Sequence, residues 1–221
     1  MKIRQTCLAA CAVVTLIAGT AACTSDSPKP VDRPARAAAD TACANGTYTW
    51  FNVDKRDVLT GVAEKQKLGK GGGELTHKPA PLHTPRTTVT FEKGPRVGAA
   101  AALRSLGAHI ADTDAVYGDG DAYEFANVRR SAPDLTAGGT RVDGAGTFVD
   151  YRWVRQVTAD FLYTCADGKR AAGRATSWFI HGSGLLECAE PVRDAKEGDP
   201  ILVAARMSCG PDAPAARAEK A

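Results

Sequence analysis

Residues 147–165 alternate with period two for longer than any other stretch of the chain. The odd positions are Thr147, Val149, Tyr151, Trp153, Arg155, Val157, Ala159, Phe161, Tyr163 and Cys165. The even positions include Asp150, Arg152, Gln156, Thr158, Asp160 and Thr164. Successive side chains of a strand point to opposite faces, so this segment reads as a strand with one face on a core and one toward water. A single charge, Arg155, breaks the apolar face. The run is far longer than the usual strand of about 5–6 residues, which predicts a bend or a change of partner sheet near Arg155.

The flanking sequence extends the pattern. Ala166-Asp167-Gly168-Lys169 supplies an Asp-Gly hairpin turn. Residues 170–180 return, His181-Gly182-Ser183-Gly184 turns again, and residues 185–188 form a short last strand. Upstream, residues 46–53, 56–64, 87–92 and 121–129 read as further strands, rich in β-branched and aromatic residues. Residues 67–73 read as a glycine- and lysine-rich turn. Two short helices are predicted. Residues 97–106 are alanine-rich, with Gly107 placed to end them. Residues 200–208 have Asp199 as N-cap and Pro200 at the first helical position. The fold class is mainly β, an α+β chain with an antiparallel sheet sandwich or open barrel and two short helices.

The 221 residues carry 28 basic and 25 acidic side chains, a net charge of +3. That balance gives no basic stripe for nucleic acid, so no nucleic-acid partner is expected. Only the N-terminus has a long apolar run. Lys2 and Arg4 precede an apolar core from Cys7 to Gly19, and small residues follow up to Cys23. This is the layout of a secretory signal peptide, residues 1–22. Without a lipid, the small residues around Ala22 would serve an ordinary signal cut.

The motif Thr20-Ala21-Ala22-Cys23 resembles the bacterial lipobox, and the chain is similar to the secreted lipoproteins of high-GC Gram-positive (actinomycete) bacteria, whose exposed domains often have no assigned activity. The first of the three positions, usually Leu in that family, is Thr20 here. The resemblance implies cleavage before Cys23, a diacylglyceryl group on its sulfur, and a protein lipid-anchored on the outer face of the cell membrane. Two acyl chains hold stably where one is marginal, so no transmembrane helix is needed. Residues 24–41, with three prolines and almost no large apolar side chain, read as a flexible linker following the lipidated cysteine. One β-rich extracytoplasmic domain should span 42–210, with a disordered tail over 211–221.

Seven cysteines are present, and Cys7 and Cys11 leave with the signal. Lipidation of Cys23 removes the odd thiol and leaves Cys43, Cys165, Cys188 and Cys209 as an even set. Their long spacings and an oxidising compartment favour disulfides over zinc. In a simple meander Cys165 and Cys188 lie on strands separated by a third, so Cys43 would join one of them and Cys209 the other.

No motif assigns an activity, catalytic residue or cofactor. Asp112, Asp114, Asp119, Asp121 and Glu124 cluster near glycines and form a weak calcium candidate, better read as a solvated acidic turn. His181 and Ser183, with Ser177 nearby, lack the Gly-x-Ser-x-Gly elbow and fit turn chemistry. His77 and His83 sit in a proline-rich exposed loop. Tyr48, Trp50, Phe51, Trp153 and Trp178 could line a glycan groove but read as sheet core. The expectation is a binding or interaction module at the cell envelope, facing an unknown ligand or protein partner. The alternative is a cell-envelope hydrolase whose catalytic groups, His181 or His109 with Ser and Asp, converge only in the fold.

Overall fold

The structure, a computed structural model, describes residues 45–111, 124–136 and 138–219. The signal segment, Cys23, the linker, Cys43, Asp112, Asp114, Asp119 and Asp121 lie outside the described residues. Strand β1 (Thr47–Val62) is followed by β2 (Gln66–Leu68), β3 (Gly73–Glu74), β4 (Ala80–Pro81) and β5 (Thr88–Lys93). Helix α1 (Ala99–Ala111) leads to β6 (Arg141–Val142), the long hairpin of β7 (Gly146–Thr164) and β8 (Arg170–Glu187), and β9 (Val192–Arg193). Helix α2 (Pro200–Ser208), a 3-10 turn (Pro214–Ala216) and β10 (Ala218–Glu219) complete it. No described helix is long and apolar enough to cross a membrane.

The fold is mainly β with an antiparallel sheet and two helices among the described residues. The main sheet runs β4-β1-β7-β8-β5, and β2 pairs with the start of β7. Among the described residues this sheet does not close into a barrel. The apolar face that a second sheet would have covered is covered by helices. Odd positions of β7 meet both of them. Val149 and Tyr151 cluster with Ala204 and Ala205 of α2, and Val157 and Ala159 cluster with Leu103, Leu106 and Ile110 of α1.

β7 is the predicted long strand, and it does not break. Its register with β8 shifts between Val154 and Gln156, where β8 carries an extra residue opposite Arg155. The irregularity expected at Arg155 is therefore a bulge in its neighbour, which bends the ribbon without ending the strand. The Asp-Gly turn forms as read, with Gly168 at φ 83° and its N–H donating to Cys165 O at 3.0 Å. The second turn does not form. His181-Gly182-Ser183-Gly184 runs straight through β8, and β8 continues to Glu187. The two strands read at 46–53 and 56–64 are one strand, β1. Asn52 adopts φ 51° at a bulge between Phe51 and Asp54, which absorbs the charged run without a turn.

Residues 124–129, read as part of a strand, form a helical turn and loop instead. Phe125 is fully buried against α1 and Phe179, which explains its apolar character without a sheet. α1 does not stop at Gly107. The helix runs through it to Ala111, and a Cβ there would make only an ordinary contact, 3.4 Å, with the Phe125 ring. α2 has the predicted bounds and Pro200 in its first turn. Asp199, however, makes no side-chain cap. Residues 211–219 are not a frayed tail: Ala215 and Ala216 join the α2 cluster, and β10 pairs in parallel with β9.

Cys188 and Cys209 form a disulfide with Cα atoms 5.5 Å apart, tying the end of β8 to the end of α2. Cys165 is disulfide-bonded too. The sheet end near Cys165 holds an aromatic cluster. Tyr48, Trp50 and Phe91 pack around Phe161, with ring centroids 5.4–6.0 Å away. The Tyr48 hydroxyl is buried without a hydrogen-bond partner. Burial, and then the neighbouring Tyr163, push its pKa up to about 12.

Candidate functional site

Arg155 falls between the stretches of β7 that the two helices cover. Its guanidinium meets Asp57, its direct cross-strand partner on β1. Nε and Nη2 donate to Oδ1 and Oδ2 of Asp57 at 2.7 and 2.9 Å, a bidentate pair. Both side chains stay partly open, at 37% and 28% exposure. The guanidinium also lies 5.9 Å from the centroid of the Trp153 ring. A half-open pair of this kind contributes little to folding, on the order of 0–1 kcal/mol. Arg155→Met should therefore shift the unfolding free energy by less than about 1 kcal/mol, read from urea denaturation.

An open cleft of about 890 Å³ surrounds this pair. Residues 55–59 of β1, five in succession, form one side of it. The loop before α2, with Lys196, Glu197 and Asp199, stands on the helix side together with Val203 of α2. His83 and Gln156 line it as well, and both also line a neighbouring cleft of about 520 Å³. That second cleft adds Arg86, Thr88 and Thr176, so the polar surface continues across the sheet.

The cleft's acids are bound to the protein's own donors. Asp57 is held by Arg155. Glu197 takes two bonds from Arg206 outside the cleft, and these hold its carboxyl below the usual range. Asp199 Oδ2 accepts the Lys196 backbone N–H at 2.7 Å, the bond that replaces the expected helix cap. Of the cations, Arg56 faces Asp54 only at 3.7 Å, with both side chains exposed. The Lys196 ammonium has no carboxylate partner among the described residues.

The structure separates most of the other sequence candidates. His77 and His83 lie exposed in the loop, as read, and His77 Nδ1 sits 3.3 Å from Glu64 O. His109 is exposed on α1. Ser177 is fully buried and donates to Phe125 O at 2.6 Å. Ser183 is exposed in β8 opposite Arg152, and of His181 only the backbone, opposite Val154, is described. Glu124, from the calcium cluster, faces Arg130 at 3.2 Å. Among the described residues, no three His, Cys, Asp or Glu side chains converge as a metal site. The aromatics are core as expected: Trp178 is 2% exposed, with Arg130 stacked 3.4 Å from its ring centroid. Phe51 is the exception, exposed at the β1 bulge. The large exposed apolar side chains are spread over several elements rather than gathered on one.

Arg155 was visible in the sequence as the charge that breaks an apolar stripe. Asp57, Lys196, Glu197 and Asp199 carried no such signal, because charges in loops and at strand edges are ordinary. No family model, curated protein or solved structure matches the chain.

Proposed function

We propose that the chain is a lipid-anchored extracytoplasmic lipoprotein whose β-rich domain binds a ligand at the cell envelope. Thr20-Ala21-Ala22-Cys23 supports the anchor. The cleft around Asp57 and Arg155 supports the binding role, and it is the observation that carries the reading. An ion pair interrupts an otherwise apolar face, adds little to stability, and lies in a cleft of ligand size. A half-open charged pair on the wall of such a cleft is placed to meet a ligand.

The anchor is tested by labelling cells with palmitate. The native chain should take up label and sediment with membranes, and Cys23→Ser should lose the label and leave the membrane. A native chain without label would overturn the anchor. Binding is tested by thermal shift of the purified full chain with wall fragments, glycans and peptides. A ligand at about 100 times its Kd adds about 2.7 kcal/mol, a shift of several degrees for a domain of this size. Silence across the whole panel would overturn the binding role.

A further inference from the structure

The outer side of β1 has a lane that is filled at one end and then abandoned. β4 pairs with Gly61 and Val62, and the N–H groups of Leu82 and His83 both donate to Thr60 O, at 2.9 and 3.3 Å. The chain then turns away through Thr84 and the buried Pro85, to reach β5 at the opposite edge of the sheet. Beyond Thr60, no described strand pairs with β1 on that side. The cleft runs along this open stretch of β1, lined by five consecutive residues of the strand, and reaches Arg155 and Gln156 of the neighbouring β7. Lys196, Asp199 and Val203 border it from one side and His83 and Gln156 from the other, so the strand edge forms the floor of a slot.

We propose that this slot takes an extended acidic peptide, added to β1 as a further strand. The inference rests on the binding role proposed above and names its ligand class. An open strand edge presents alternating N–H and C=O groups, and pairing with them gives affinity that is independent of the peptide's side chains. Residues 55–59 span about 17 Å at ~3.3 Å per residue, room for about five residues of peptide. Charge selects the sign. The lining carries Lys55, Arg56, Arg155 and Lys196 against Asp57, Glu197 and Asp199, and Glu197 is further held by Arg206 from outside the cleft, so the balance is a positive surplus. Carboxylates on the incoming strand complement that surplus.

The test uses the purified full chain and three fluorescein-labelled hexapeptides: alternating Val-Glu, alternating Val-Lys, and the Val-Glu peptide N-methylated at alternate peptide nitrogens. The Val-Glu peptide should bind. The Val-Lys and N-methylated peptides should each bind at least tenfold more weakly, and Lys196→Glu should weaken Val-Glu binding severalfold. Hydrogen exchange should slow at residues 54–59 when the Val-Glu peptide is bound. Equal binding of the N-methylated peptide would overturn strand addition, and equal binding of Val-Lys would overturn the acidic preference. Failure of all three to bind would overturn the inference outright, as would sedimentation showing a dimer paired through β1. A wall fragment that still shifts the melting midpoint in that case leaves the broader binding role standing, so the two failures are distinguishable.

Discussion

Phe161→Ala is expected to lower the unfolding free energy by about 3–5 kcal/mol, the range for emptying a large aromatic site in a core. Phe161 is fully buried at the meeting point of β1, β5, β7 and β8. Tyr48, Trp50 and Phe91 contact its ring. Tyr48 and Trp50 are fixed on β1 and Phe91 on β5, so the three rings cannot close the space together and the cavity term should add to the lost burial. The ring also lies over Gly173, its partner across the hairpin. A Cβ on Gly173 would sit 2.8 Å from Phe161 Cζ and 2.1 Å from Thr90 O. The backbone contact cannot yield without opening β5 from β8. Urea unfolding of the native chain and Phe161→Ala measures the effect, and a loss under 1 kcal/mol would mean the aromatic cluster repacks freely.

Removing the Cys188–Cys209 disulfide by double substitution to serine should cost about 3 kcal/mol, the loop-closure value for a separation of 21 residues. The midpoint should fall by roughly 6–12 °C. The bond holds α2 against the sheet, where Leu202, Ala204 and Ala205 are fully buried. The Ser208 hydroxyl adds a bond to Ala63 O at 2.6 Å. Ala215 and Ala216 pack behind the helix, so loosening α2 also loosens the C-terminal segment. Calorimetry of the double variant reads the change, and an unaltered midpoint would show that packing alone seats the helix.

The parts of this fold legible in the sequence are those where side-chain pattern and backbone need agree. The stripe from Val149 to Tyr163 alternates because one face is buried, and Asp167-Gly168 turns because glycine reaches φ 83° there. Gly182 and Gly184 misled for a physical reason. They resemble turn glycines, yet each lies under a ring from β7: a Cβ would come within 2.5 Å of Trp153 and 2.1 Å of Tyr151. Glycine serves those positions by being small, and sequence spacing does not distinguish that use from a turn. The charged run Asp54-Lys55-Arg56-Asp57 reads as a break between strands because charges are uncommon inside a strand, and here they lie along an edge open to water. Ala215 and Ala216 looked like tail because small residues signal burial weakly. The cleft was legible only at Arg155, since its other walls come together through tertiary contacts.

The pairing of β1 with β7 also bears on how the chain reaches its native state. Trp50 meets Phe161, so β1 and the central strand β7 are brought together across more than half of the domain's length. Contacts of such sequence separation give a high contact order, and loop closure must be paid for before they return any stability. The β7–β8 hairpin, closed by a tight turn, has no such barrier and supplies the template. The first long strand to leave the ribosome therefore has no partner until the hairpin exists. β1 stays unpaired with β7 for as long as the C-terminal half of the chain is missing.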